Sequence, residues 1–397
     1  MPGPLHGVRV LDLTTVVMGP FATQILAELG ADVIKVETHD GDNMRHAGPM
    51  KNRDMGYMFL NLNRGKRSIV LDLKQSAARD ALLRLTPTID VLVYNVRPQA
   101  MARLGLSYDA VRAVNPKIIY VGAYGYSQRG PYAARAAYDD LIQGASGIPA
   151  LSLRQGADQP RYAPVNLADR LTGLHTVYAV TTALFHRERT GEGQAVEVPM
   201  FESVAHFVLG DHTAGLTFQP ARGEPGYARL LARRPYATAD GYLCVLIYND
   251  KQWRSFFEAI GRPQMMSDPR YATQSSRASN IAEIYAELSE LMKTRNTADW
   301  MALFEKADIP VARMNSIEQL VDDPHLGASG FFEEEEHPTE GRLRVMRTPT
   351  DWSQTKPGAR LPPPRLGQHS AGVLREAGYS DAQIAELART GATLLGD

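Results

Sequence analysis

Apolar residues recur at Leu171, Leu174, Val177, Tyr178, Thr181, Leu184 and Phe185, a spacing that predicts one long helix. Arg187 and Arg189 complement the negative end of its dipole, and Thr190-Gly191-Glu192-Gly193 stops it. Ala195 to Met200 then alternates as a strand does. Ahead of the helix, Pro164 to Gly173 ends a loop and sets a single carboxylate, Asp169, where loop and helix meet. By pattern alone that residue is an N-cap, accepting hydrogen bonds from N–H groups that have no partner within the helix.

Earlier in the chain, residues 8 to 37 read as a β-α-β unit: Val8 to Leu13, a turn through Gly19-Pro20, a helix to Leu29 capped by Gly30, and Val33 to Glu37. This predicts a parallel strand pair opening a doubly wound sheet. Glu37 occupies the strand end that holds a ribose in dinucleotide enzymes. The first turn, Thr14 to Pro20, has no G-x-G-x-x-G to admit a pyrophosphate, so nicotinamide and flavin binding are disfavoured and any nucleotide must approach differently. Arg64, Lys66 and Arg67 cluster before the next strand and read as a solvated turn. Strands at Asp90 to Asn95 and Lys117 to Ala123 follow. Asn95 and Arg97 stand at a strand's carboxyl end, where this architecture binds ligands, and Arg103 lies on the next helix. Tyr138 and Asp139 read as a routine helix start.

The Pro- and Gly-bearing connector Gln219 to Arg229 marks a domain boundary. A compact unit follows, with strands around the turn Asp240-Gly241 and helices at Asp250 to Ile260, Ser279 to Met292 and Thr297 to Lys306. The expected division is 1–220, 221–330 and 331–397, the last segment returning to the first domain. Glu333 to Glu336 opposite Arg342 to Val345 suggests a hairpin with facing charges.

Composition adds mainly exclusions. With 397 residues, 44% hydrophobic and 22% charged, the chain is of ordinary globular type, and its net charge of −1 supplies no field for nucleic acid or anionic membrane. No run reaches membrane-spanning length, and no leader pattern opens the chain, so a cytoplasmic location is expected. The single cysteine, Cys244, lies in an apolar strand pattern and reads as a small buried hydrophobe. No H-E-x-x-H or His/Cys cluster points to a metal, and neither G-x-S-x-G nor a phosphate-binding P-loop is present. A carboxylate at a helix start and cations at strand ends remain. Carboxylates can serve as covalent nucleophiles toward activated acyl groups.

Those residues carry a resemblance. Val10 to Leu13 through Gly30 to Glu37, Asn61-x-Asn63-x-x-Lys66-Arg67-Ser68-Ile69, Asn95-x-Arg97-Pro98, Tyr138-Asp139-x-x-x-Gln143, Asp169 with Thr190-Gly191-x-Gly193-Gln194, and Leu366-Gly367-x-His369 resemble the class III CoA-transferases, in family order. The resemblance implies an α/β fold: a Rossmann-like large domain built from both chain ends, a smaller inserted α+β domain, and an interlocked homodimer. It makes Asp169 the nucleophile. It places Val17, Met18, Leu71, Lys74, Asn95, Val96, Arg97, Arg103, Tyr138 and Asp139 at or beside CoA-contacting positions. Coenzyme A enters as substrate, in an acyl-CoA donor paired with a carboxylic acid acceptor, and neither a tightly bound cofactor nor a metal is implied. Thr38-His39 stands where close relatives carry an Arg, and the glycine-rich loop of formyl-CoA transferases has no counterpart, so oxalate and formate are not favoured.

The implied chemistry is attack of Asp169 on the donor thioester to give an aspartyl anhydride, then return of the CoA thiolate to give an aspartyl-CoA thioester. Two alternatives stay open. Acyl-CoA racemases share the fold but carry His where this chain has Tyr138, and a non-catalytic CoA-binding protein would leave Asp169 as a cap alone. Arg229, Arg233 and Arg234 could hold the distal carboxylate of a dicarboxylic acid or form a solvated linker face.

Overall fold

The computed structural model describes residues 2–358 and 361–396. The opening β-α-β unit comprises β1 (Arg9–Leu13), the helix Met18–Glu28 and β2 (Asp32–Glu37). Then come β3 (Lys66–Leu71), β4 (Val91–Tyr94), β5 (Ile119–Tyr124) and β6 (Gln194–Pro199). These six strands pair in parallel in the order β3-β2-β1-β4-β5-β6. The centres of the inner strands β2, β1 and β4 are apolar runs with no solvent exposure, Val33-Ile34, Val10-Leu11 and Val91 to Val93, as expected when both faces of a parallel sheet are covered, while β6 at the edge is partly exposed. The result is a mixed α/β fold with a parallel-dominated sheet.

The chain forms two compact units. One contains the chain up to Ile148, Tyr162–Phe207 and the chain from Gly327 onward. Its sheet is completed by the last strand, Thr393–Leu394, which runs antiparallel to β3, while Val373, Leu374, Ile384 and Leu387 of two C-terminal helices pack into the same core as Leu11 and Leu92. The other unit, Pro149–Arg161 with Val208–Leu326, holds its own three-stranded antiparallel sheet. In chain order its strands are β7 (Tyr236–Ala237), β8 (Tyr242–Val245) and β9 (Val311–Arg313). Its core gathers Trp253, Phe256, Trp300 and Phe304. The middle segment of the first unit ends at Phe207, inside the helix Met200–His212.

Several local expectations change. The helix expected at Ser279 to Met292 spans Ile281–Met292, and a separate short helix, Gln274–Ser279, precedes it across Asn280. Cys244 is half-buried in β8, less enclosed than its apolar neighbours suggest. The long helix spans Leu167–Thr190, and its buried residues are Ala168, Thr172, Gly173, Thr176, Val180, Ala183 and Leu184. Of the large residues whose spacing marks the helix, Leu174, Tyr178 and Phe185 are 51%, 59% and 64% exposed. The helix thus packs by its small face and leaves a large apolar face uncovered within this chain. The acidic and basic strands β10 (Phe332–His337) and β11 (Gly341–Met346) form the expected hairpin, with Glu334 opposite Arg344 and Glu336 opposite Arg342.

The cluster Arg64, Lys66 and Arg67 is not a solvated turn. Lys66 is fully buried and donates to Asp12 (3.0 Å), Pro20 O (3.0 Å) and Asn63 Oδ1 (2.8 Å). Arg64 pairs with buried Glu28, and Arg67 forks onto Asp32 and Glu376. Burial pushes the Asp12 carboxyl upward. The ammoniums of Lys66 and Lys35 and the hydroxyls of Thr14 and Thr23 outweigh it and hold that group at about 2.

Candidate active site

The turn between β1 and the helix Met18–Glu28 replaces the missing glycine fingerprint with a tethered backbone. Val16 sits at φ +74°, a left-handed conformation costly for a β-branched residue. Side chains from other strand ends hold it. Asp42 Oδ1 accepts the Val16 N–H (3.1 Å), and Lys35 Nζ donates to Thr14 O (2.8 Å) and to Asp42 Oδ2 (2.9 Å). Asn95 grips Thr15 in both directions, donating to its carbonyl (2.7 Å) and accepting its N–H (3.0 Å). The next residues, Val17 and Met18, open a helix with no side-chain cap and no acidic residue in its first turn. Such a start favours negative charge.

Against this helix lies the long one. A Cβ on Gly173 would stand 2.8 Å from Phe21 Cδ1 and 2.9 Å from Met18 O, so only glycine permits this approach. Arg170 lays its guanidinium over the Phe21 ring at 4.4 Å. The helix begins three residues before the position expected from the pattern, with Asn166 at the N-cap and no side-chain cap bond. Asp169 is therefore not the cap. Its backbone N–H is itself capped, by Asp139 Oδ1 at 3.0 Å, and the second Asp139 oxygen accepts from Gln143 Nε2 at 2.6 Å.

This arrangement sets the state of the Asp169 carboxyl. Burial raises it and the Asp139 charge raises it further, with Arg170 opposing, to about 7. The dipole of the long helix, which favours a charged carboxylate at its start, contributes only ~0.3–1 kcal/mol and is outweighed. Near neutral pH the carboxylate and the acid are both populated. A carboxyl so poised in a half-buried position is a group that can switch between nucleophile and leaving acid.

The remaining expected contact residues are distributed as follows. Leu71, at the end of β3, is buried in the core, as are the side chains of Val17 and Met18, so only their backbones can face a ligand. Lys74, Val96, Arg97 and Arg103 are exposed, Lys74 in the turn after β3 and the others following β4, with Arg97 donating to Ala134 O at 3.2 Å. Tyr138 is 68% exposed at the N-cap of the helix Asp139–Ala145. Glu37 does not present itself to a ribose: it is buried and held bidentately by Arg45 (2.8 and 2.7 Å) and by Ser68 (2.6 Å). Gly122 lies within β5 between β4 and β6. In the other unit, Arg229 and Arg233 are half-buried and their Nε atoms meet neither solvent nor an acceptor, so a solvated face describes Arg234 alone. Lys35, Asp42, Gly173 and Val16 escaped the sequence reading. Only Gly173, a glycine inside a helix, carried a visible signal.

A parallel α/β sheet, a carboxyl of raised affinity for protons at a helix start, and a tethered turn beside it define a class, and comparison with known proteins gives that class its name. Residues 5–370 match the model of CoA-transferase family III, and the chain belongs to that family. It is 36% identical to the succinate–glutarate CoA-transferase of Agrobacterium fabrum over 94% of this chain and 95% of that protein. It is 31% identical to the formyl-CoA:oxalate CoA-transferase of Escherichia coli over 98% of this chain and 99% of that one. Among solved structures, a CAIB/BAIF family protein from Brucella suis superposes with a TM-score of 0.80 at 31% identity, covering 95% of this chain and 100% of that chain. The chain is an enzyme of the CoA-transferase type, a family whose members use CoA thioesters as substrates. Among the described residues no cluster could hold a metal ion and no helix is long and apolar enough to cross a membrane.

Proposed function

We propose that this enzyme transfers CoA from an acyl-CoA donor to a free carboxylic acid through covalent intermediates on Asp169. The observation that carries the reading is the pairing of Asp169 with Asp139: a half-buried carboxyl, fixed through its own backbone N–H and titrating at about 7. The ionised Asp169 oxygen attacks the thioester carbonyl, forming the aspartyl anhydride as the C–S bond breaks and CoA leaves as thiolate. The thiolate then attacks the aspartyl carbonyl, giving the aspartyl-CoA thioester and releasing the donor acid as carboxylate. An acceptor carboxylate runs the two steps in reverse. Positioning and charge placement suffice, because the acyl groups arrive activated.

In this reading the backbones of Val17, Met18 and Leu71 and the side chains of Lys74, Arg97 and Arg103 line the CoA path, with Val96, Tyr138 and Asp139 beside the thioester and Asn95 acting through Thr15. Tyr138, where racemases of this fold carry His, favours transfer over α-proton exchange. Dicarboxylic acids are the proposed acyl class, supported by the similarity to a succinate–glutarate enzyme. The uncovered Leu174, Tyr178 and Phe185 support a homodimer, interlocked as the resemblance implies, and the single cysteine supports a cytoplasmic setting.

The experiment is chemical trapping. Donor acyl-CoA, turned over in the presence of hydroxylamine, yields a hydroxamate on the peptide containing Asp169. Turnover without any adduct on that peptide contradicts the covalent route.

A further inference from the structure

Gln143 is the only amide among the described contacts that reaches both sides of the Asp169 turn. It lies four residues after Asp139 on the helix Asp139–Ala145, hence on the same face, and it is fully buried. Its Nε2 donates to Asp139 Oδ2 at 2.6 Å and more weakly to the carbonyls of Ala163 and Val165, both at 3.3 Å. Its Oε1 accepts the Ala163 N–H at 2.9 Å. Acceptors stand only on the nitrogen side and a donor only on the oxygen side, so the amide has one orientation that satisfies all its partners. A carboxylate could not donate, and an apolar side chain could do neither.

These partners flank the proposed nucleophile. Asp139 bonds the Asp169 N–H through its other oxygen, while residues 163–165 are the strand of loop that delivers the chain to Asn166 and the helix start. Fixing one carboxylate oxygen fixes the direction of the other. Fixing Ala163 restrains the entry into the first turn, where the N-cap residue Asn166 makes no side-chain cap bond of its own.

We propose that Gln143 is a positioning residue of the transfer reaction: it clamps Asp139 and the 163–165 loop together so that Asp169 is presented in one geometry. The proposal rests on the reading of Asp169 as the reacting carboxylate. It concerns kcat, because Gln143 is fully buried and its amide is engaged by Asp139 and by the backbone of Ala163 and Val165.

The test compares Gln143→Met and the isosteric Gln143→Glu with the wild-type full-length enzyme, using succinyl-CoA and glutarate as probes, with Asp169→Asn run alongside. Folding is checked by circular dichroism and thermal melting, and amide hydrogen exchange is followed across residues 163–170. The expected result is folded variants whose kcat falls at least tenfold while KM for the acyl-CoA stays within about threefold, together with faster exchange at residues 163–170. A folded variant with kcat within twofold of wild type overturns the proposal, as does an equal loss through KM alone. Failure of both variants to fold also overturns it, since the glutamine would then be a structural strut. An active Asp169→Asn enzyme would instead refute the nucleophile reading, whatever Gln143 does.

Discussion

The Asp139 carboxylate accepts the backbone N–H of Asp169 at 3.0 Å across thirty residues of sequence, so one acidic residue caps the helix turn that carries the other. The contact orients Asp169 and at the same time places a like charge beside its carboxyl. Burial is the larger influence on that carboxyl, and Asp139 adds to it.

A pH dependence follows. With Asp169 titrating at about 7 and reacting as the carboxylate, kcat/KM falls on the acid side of neutrality, by roughly tenfold per pH unit once well below that value. Asp139→Asn removes the like charge, and the acid limb moves down by about one unit. A limb that stays in place would show that Asp139 does not act on this carboxyl electrostatically.

The same group is linked to stability. Its folded value of about 7 lies above the ordinary carboxylate range, so the folded state holds an extra proton in between. That contribution is complete below about pH 4 and lost as the pH rises through 7. The melting temperature of Asp169→Asn minus that of wild type therefore increases from pH 5 to pH 8. A difference that is constant or decreasing over that range would contradict the raised value.

At the crossing of the two helices, Gly173→Ala forces a methyl into contact with Phe21 and Met18 O. We expect a loss of about 1–3 kcal/mol in urea unfolding, the cost of overpacking a close approach. A loss below 0.5 kcal/mol, within the ordinary range for an uncrowded site, would mean that the helices can part freely.

Val16→Gly tests the tethered turn. Glycine takes φ +74° at no steric cost, which offsets its greater freedom in the unfolded chain, so stability is expected to hold or rise by about 1 kcal/mol. A loss of more than about 1 kcal/mol would mean that the valine side chain contributes more by packing than its conformation costs.

Much of the fold was legible because it is local in sequence. The β-α-β opening and the 332–346 hairpin each lie within a short window with its own periodicity or turn chemistry. The buried cations were not legible, since a lysine at position 66 looks solvated until Asp12, from a strand far earlier in the chain, is placed against it. The start of the long helix was misplaced for a related reason: Asp169 resembles a cap, but its N–H is satisfied by Asp139 and the chain turns helical from Leu167. Of the site, the family pattern singled out Asp169, Asp139 and Asn95. That Asn95 is spent on holding Thr15, and that Gln143 joins Asp139 to the 163–165 loop, are facts of tertiary contact with no periodic signature.

The central claim is that Asp169 carries the transferred group, and CoA exchange by Asp169→Asn measures it most directly. The substitution keeps the shape and removes the charge and the nucleophilic oxygen, and no side-chain cap is lost with it. With succinyl-CoA and free glutarate, the folded variant should show exchange reduced to the uncatalysed background while still binding acyl-CoA. Exchange at the wild-type rate by a folded Asp169→Asn enzyme would contradict the account.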